Sequence, residues 1–175
     1  MKSGLIRSCG VNDFEQILAV INDSAKAYEG VIPKDLWHEP YMSSDELRNE
    51  IDSGVVFVAF DRGNGPQGIM GSQTIKDVKL IRHAYVRTKL QGQGIGSQLL
   101  YHLVNKFLAP ILVGTWASAE RAISFYKANG FGLIESQKKD ELLKTYWNIS
   151  ELQAISSVVL GEERALKRFR MQTFS

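Results

Sequence analysis

The chain has 175 residues, 44% of them hydrophobic and 23% charged, with a formal net charge of +2. This composition describes a single soluble globular domain over residues 1–175 and excludes a disordered chain, while so small a charge puts nucleic acid and anionic membranes outside the expected partners, so any anionic ligand needs a local site. The lone Cys9 excludes an internal disulfide or a cysteine metal cluster, and with no leader and no run of about 18 apolar residues the chain reads as cytoplasmic, with no metal expected.

The elements follow in order. "GLIRSC" reads as a strand. "VNDFEQILAVINDSAKAYEG" sets Phe14, Ile17, Leu18 and Ile21 at helical spacing, with Asn12 or Asp13 as cap and Gly30 as stop. "VIPKDLWHEPYM" is a proline-bounded loop with bulky side chains, and "SSDELRNEIDSG" is a short helix in which Ser43 or Ser44 precedes acidic residues. "VVFVAFD" and "QGIMGSQTIKD" form a hairpin around the turn "RGNGP". "VKLIRHAYVRT" is a β-branched and aromatic strand. "GIGSQLLYHLVNKFLA" places Ile95, Leu99, Leu100, Leu103, Val104 and Phe107 on one helical face. Then come a strand "ILVGTWA", a helix "SAERAISFYKANG" ending at Gly130, and a strand "FGLIES". The polar stretch "QKKDELLKTYWN" has room for a helical turn, "ISSVVL" is the last strand, and "EERALKRFRMQTF" reads as a C-terminal helix or a frayed tail. The order is that of a mixed α/β fold, with a core over about residues 3–160 and the helix or tail at 161–175.

The chemistry concentrates in "RTKLQGQGIGSQLL", Arg87 to Leu100. A strand ending at Val86 and a helix starting near Gly94 leave backbone amides without internal partners, and glycine lets them approach an anion closely. A pyrophosphate suits such a place; a tight turn before a helix suits it equally on spacing alone. A P-loop is excluded, because Gly96 is followed by Ser97 and Gln98 where Lys and Ser or Thr are needed. A dinucleotide fingerprint is disfavoured: the spacing is G-x-G-x-G, it lies mid-chain, and Val104 to Pro110 contains no acid.

"VRTKLQGQGIGSQLL" resembles the acyl-CoA pyrophosphate loop of the GNAT superfamily of N-acetyltransferases, with Gln91, Gly94 and Gly96 filling its pattern. Downstream, "ERAISFYKANGF" resembles the helix-to-strand segment of the same family. The resemblance spans about residues 3–160 and implies a mixed, mostly antiparallel sheet of about six to seven strands flanked by helices. It implies that the backbone at Gln91, Gly92, Gln93, Gly94, Ile95, Gly96 and Ser97 holds acetyl-CoA, with the main chain at Tyr85 and Val86 pairing with the pantetheine arm. It further implies that Tyr126 lies near the sulfur as general acid for the departing thiolate, against the alternative of a core aromatic. Two positions depart from the family pattern: Ala119 stands where Asn is common, and Leu80 roughly where a basic Glu often sits.

An amine of pKa about 10.4 is almost wholly protonated at pH 7, so attack on a thioester needs a base or a water relay. With Leu80 unable to serve, His83 is the candidate, and imidazole suits the role; strand alternation puts His83 and Tyr85 on one face with Ile81, opposite Arg82, Ala84 and Val86. The loop between the first two helices borders the acceptor in this family, and here it offers Tyr28, Glu29, Trp37, His38 and Tyr41. Glu29 would pair with an ammonium and the aromatics surround it, or the aromatics pack against the domain; Trp147 stands in the same balance. The expected function is transfer of an acetyl group from acetyl-CoA to a primary amine of a small-molecule or amino-acid-like acceptor. The alternative is a non-catalytic acyl-CoA-binding module, suggested by Leu80 and Ala119, and the tail "EERALKRF" with edge strands allows a homodimer.

Overall fold

A one-residue register shift in the middle of one sheet governs how this chain opens. In a computed structural model, which describes residues 4–169, the chain runs β1 (Leu5–Ser8), α1 (Phe14–Ala25), α2 (Ser44–Asp52), β2 (Val56–Asp61), β3 (Pro66–Ile75), β4 (Val78–Val86), α3 (Ile95–Lys106), β5 (Ile111–Trp116), α4 (Glu120–Ala128), β6 (Gly132–Leu133), α5 (Ser136–Tyr146), α6 (Glu151–Ile155), β7 (Ser157–Gly161) and α7 (Glu163–Phe169). The seven strands form one sheet in the order β1-β2-β3-β4-β5-β7-β6. Every pairing is antiparallel except β4 with β5, which is parallel because α3 provides the crossover. The sheet is therefore the mixed, mostly antiparallel one expected.

Helices cover both faces. α3 buries Ile95, Leu99, Leu100 and Leu103 against Val58, Phe60, Met70 and Ile81. On the opposite face, Ile17, Val20 and Ile21 of α1 and Leu47 of α2 pack on Phe57, Ala59 and Ile69. Around β5 and β7, Leu142, Leu143 and Tyr146 of α5 join Ala165 and Phe169 of α7 over Leu80, Leu112 and Val159.

α5 exceeds the single turn expected from "QKKDELLKTYWN". Its exposed face carries Gln137, Asp140, Glu141 and Lys144, so the segment reads as polar, and a narrow stripe at Lys139, Leu142, Leu143 and Tyr146 is buried. α6 was likewise absent from the expectation and is capped by Ser150, whose hydroxyl accepts from Gln153 N. "FGLIES" shrinks to the two-residue β6, and the C-terminal segment is a docked helix as far as Phe169. The remaining residues of that expected helix or tail, 170–175, lie outside the described residues. No helix of the described residues is long and apolar enough to cross a membrane.

Capping follows expectation at α2, where Ser43 Oγ accepts from Glu46 N and Glu46 accepts from Ser43 N. At α1 it does not. Asp13 makes no side-chain bond to the helix; it accepts from Gly10 N at 2.8 Å and from Arg7 Nη1 and Nη2 at 2.9 and 2.8 Å. Arg7 also donates to Asp61 Oδ2 at 3.2 and 3.0 Å, tying β1 to the α1 entry and the β2–β3 turn. The hydrogen bonds from Arg7 hold the Asp13 carboxyl down at about 2. A carboxyl lowered in the folded state contributes stability above its unfolded value near 3.9 and loses that contribution as pH falls toward 2. Asp13→Ala should therefore cost about 1.5–3 kcal/mol at pH 7. Denaturant titrations of both proteins at pH 7 and pH 2.5 should show that difference shrinking at the lower pH.

Candidate active site

The site begins where β4 and β5 part. Their pairing covers only Lys79–Ile81 with Ile111–Val113; beyond this β5 continues against β7, while β4 stays with β3. Between Ile69↔Tyr85 and Gly71↔Arg82 the β3–β4 register shifts, so that His83 and Ala84 stand against Met70 alone. This is a β-bulge, and His83 takes its left-handed position at φ 51°. Such a conformation costs a non-glycine residue on the order of 1–3 kcal/mol, although histidine tolerates it better than most.

The extra residue overturns the expected alternation. Ile81 lies with Ala84 and Val86 in the core under α3, whereas Tyr85 belongs to the core under α1 and His83 packs on Phe57 of that same core. His83 and Tyr85 thus share a face with each other and not with Ile81. The edge of β4 from Arg82 onward has no strand partner on its β5 side, and a cleft of about 790 Å³ opens there between Ile81–Val86 and Val113–Trp116. Its size is that of a small-molecule site.

The glycine loop forms one end of this cleft. Gly92 and Gly94 have φ of 75° and 78°, which an L side chain would pay about 1–2 kcal/mol to adopt. A Cβ at Gly92 would meet nothing within 4 Å, and one at Gly94 only Gln98 Nε2 at 4.0 Å, so the space above both is open to a ligand. Gly94 caps α3, and the first intrahelical bond runs from Gln98 N to Gly94 O. The amides of Ile95, Gly96 and Ser97 therefore precede the helical ladder and face outward from its positive end. Gln91 Nε2 donates to Val86 O at 3.2 Å and Arg121 Nη2 to Gln91 Oε1 at 3.4 Å, which fastens the loop to β4 and brings a cation beside it. A Cβ at Gly96 would stand 3.2 Å from the Phe125 ring, so α3 and α4 approach closely at this point. Gln91, Gly92, Gly94, Ile95, Gly96 and Ser97 line the cleft together with Tyr85 and Val86; Gln93 is exposed and does not.

Tyr126 lines the same cleft from α4. Its ring packs between Phe125 and Phe131, at centroid distances of 5.0 and 5.6 Å, and only 5% of the residue is exposed. Its hydroxyl makes no hydrogen bond among the described residues, yet it is not one of the sealed unpartnered atoms, which are Arg62 Nε and Gln67 Oε1. The ring is therefore core, and the hydroxyl is an unsealed, unpartnered atom of a residue that lines the cleft. Burial pushes the phenol well above its ordinary value and keeps it protonated. Ala119 begins α4 without a side-chain cap, and Leu80 is wholly buried in the core beneath α5, where a carboxylate would have no water.

The expected acceptor residues divide. Tyr28 and Tyr41 line the cleft, each set edge-on to Tyr85 at 6.4 Å. Trp37 and His38 pack against Tyr41, at 5.7 and 6.4 Å, and stand outside the lining, as does the exposed Glu29. Trp147 lies on the opposite wall, where a Cβ at Gly114 would be 3.4 Å from its indole. His83 lines the cleft as well.

Beside it stands a residue that the sequence reading passed over. Glu50 of α2 accepts from His83 Nε2 at 2.9 Å and from Arg82 Nη2 at 2.8 and 3.0 Å. Gln73 Oε1 holds the other arm of Arg82 at 2.8 Å. Burial works against ionisation of Glu50, but the bond from His83 and the Arg82 charge outweigh it and bring its carboxyl below the ordinary range. Nothing in the spacing signals this, because Glu50 reads as one more charge on a solvated helix and lies 33 positions from His83. Among the described residues no group of three or more His, Cys, Asp or Glu is placed to hold a metal ion.

A sheet split by a bulge, with an outward-facing helix start at the mouth of the split, defines an acyl-CoA N-acyltransferase fold. The same fold occurs in the PaiA N-acetyltransferase of Thermoplasma acidophilum solved with coenzyme A, at 19% identity and a TM-score of 0.68 over 91% of this chain and 98% of that one. The ribosomal-protein-S18-alanine N-acetyltransferase of Escherichia coli gives 15% and 0.63 over 91% and 92%. N-acetylglutamate synthase of Neisseria gonorrhoeae, solved with coenzyme A and L-arginine, gives 19% and 0.60 over 93% of this chain and 33% of its own. The pattern of the acetyltransferase (GNAT) domain matches residues 22–145, and the chain belongs to that family. No curated protein sequence matches it. Acetyl-CoA is the co-substrate of the family's enzymes, and the open glycine cradle of this chain fits a pyrophosphate.

Gly94→Ala should cost about 1–2 kcal/mol in a denaturant titration, because it forces an L residue into the left-handed region. Calorimetry should show the same variant binding coenzyme A about tenfold more weakly, since 1.4 kcal/mol of lost loop geometry is a factor of ten.

Proposed function

We propose that this chain is an acetyl-CoA-dependent N-acetyltransferase acting on a primary amine of a small-molecule or amino-acid-like acceptor. The observation that carries the reading is the convergence of the open β4 edge, the outward amides at Ile95–Ser97 and the free Tyr126 hydroxyl on one cleft. When bound, acetyl-CoA supplies the activated acetyl thioester. The amides of the glycine loop and the Arg121 charge hold the diphosphate, and the unpaired β4 edge at Tyr85 and Val86 hydrogen-bonds the extended arm as a further strand would. Tyr126 holds a proton at its hydroxyl and passes it to the departing sulfur. A phenol so buried is a reluctant donor, and the proton released by the acceptor nitrogen compensates for the one that it gives up. His83 takes the first proton from the acceptor ammonium, because the neutral amine alone attacks.

The acceptor end of the cleft is walled by Tyr28, Tyr41 and Trp147, and Glu120, at the start of α4, is the one carboxylate among the described lining residues. That character favours a single amine on an apolar or aromatic body, its ammonium set against ring faces, over a polyamine that would need several carboxylates.

Calorimetry with acetyl-CoA tests the reading directly, and no binding at high micromolar concentration would sink it. Release of free thiol across a panel of amines should accompany binding; binding without thiol release by any amine would leave the non-catalytic acyl-CoA-binding reading. Tyr126→Phe should lower kcat by about a hundredfold, the size of a lost general acid, while the calorimetric Kd for acetyl-CoA stays within about twofold because a Phe ring fills the same packing site.

A further inference from the structure

The bond between α2 and the bulge bears on how His83 works. An ionised carboxylate only accepts hydrogen bonds. Glu50 is held ionised by Arg82, so the proton in the 2.9 Å contact with His83 belongs to Nε2. In the neutral imidazole the lone pair then lies on Nδ1, which meets no hydrogen-bonding partner among the described residues and is not one of the sealed unpartnered atoms. The side chain is 14% exposed and lines the cleft. We propose that Glu50 is a positioning residue for the reaction: by accepting the Nε2 proton it fixes the tautomer and ring orientation of His83 that present Nδ1 to the acceptor ammonium. The inference rests on the acetyltransferase reading and assigns the base within it.

The step balances simply. The ammonium gives one proton to Nδ1, leaving a neutral amine and an imidazolium; after transfer the imidazolium returns its proton to water. The imidazolium formed this way stands against the Glu50 carboxylate, which already neutralises Arg82, so one anion serves two cations. The groups facing His83 divide accordingly: Glu50 from α2 is anionic, Arg82 on β4 is cationic, and Phe57 on β2 is apolar. Tyr85 follows on β4, and burial pushes its phenol well above its ordinary value, so it stays neutral. Tyr41 packs on the Tyr85 ring from the α1–α2 loop. The left-handed backbone at His83 suits the same purpose, since it turns the ring out of the β4 alternation and toward α2.

The test has two arms. Nitrogen-15 NMR of the histidine ring in the wild-type protein reads the tautomer directly and needs no turnover. A neutral His83 protonated on Nε2 is the expected result, and one protonated on Nδ1 overturns the proposal even if the protein proves to be an acetyltransferase. The second arm is Glu50→Gln, checked for folding by circular dichroism, with Glu50→Asp beside it. In Glu50→Gln, kcat/KM for the amine should fall about tenfold or more, with the Kd of acetyl-CoA unchanged. Its acidic limb in the pH–rate profile should move to lower pH, because the charge that favours the imidazolium is gone; Glu50→Asp should keep the limb in place. An unchanged rate and an unmoved limb in Glu50→Gln overturn the proposal. Absence of acetylation by the wild type would strike the acetyltransferase reading, and the NMR arm would still decide the tautomer.

Discussion

Everything that makes this fold able to hold a ligand depends on β4 having one residue too many. A regular strand would keep pairing with β5 along its length, close the sheet and bury its own amides. Instead, His83 and Ala84 stand against Met70 alone, pairing to β5 ends at Ile81, and the backbone of Arg82–Val86 is left without a strand partner on that side. Free strand edges are normally a hazard that proteins cover. Here the edge lies inside a cleft walled by β5, α4 and the α1–α2 loop.

The bulge also links the two ends of the site. On the side of Ala84 and Val86 the strand packs on α3, whose start supplies the outward amides. On the side of His83 and Tyr85 it meets α2 and the aromatic loop, with Glu50, Tyr28 and Tyr41. One inserted residue therefore separates a half lined by outward-facing amides from an aromatic half. Gln91 and Ser24 both donate to Val86 O, so the end of β4 is held by α1 and by the glycine loop at once. This matters for a site assembled from several elements, since a shift of one would misplace the rest.

Most of the fold was legible in residue order because each element carries its own periodicity. The apolar stripe of α3, the "RGNGP" turn and the capping box at Ser43 are local patterns, decided by neighbours within four or five positions. Errors arose where a local pattern is ambiguous. α5 exposes most of its surface and buries three apolar side chains and Lys139, so its sequence looks like a polar connection. Asp13 looks like a helix cap by position, but Arg7 lies across the β1–α1 corner and offers two charged donors, which outweigh a backbone amide.

The glycines at 92, 94 and 96, with the Phe-Tyr-Gly-Phe segment after them, indicated the cofactor through their resemblance to a known family. Their spacing alone left a tight turn and an anion site equally open, but a backbone cradle is made of consecutive residues and so leaves a pattern that can be matched. The face on which His83 sits was decided only by the tertiary structure, since a bulge is a mismatch between two strands and cannot be read from one. The same holds for the partnership of His83 with Glu50, and for the separation of Tyr28 and Tyr41 from Glu29, Trp37 and His38. Such contacts join residues far apart in the chain, and their energy depends on burial and on which charges already neutralise one another. Those quantities exist only once the chain has folded.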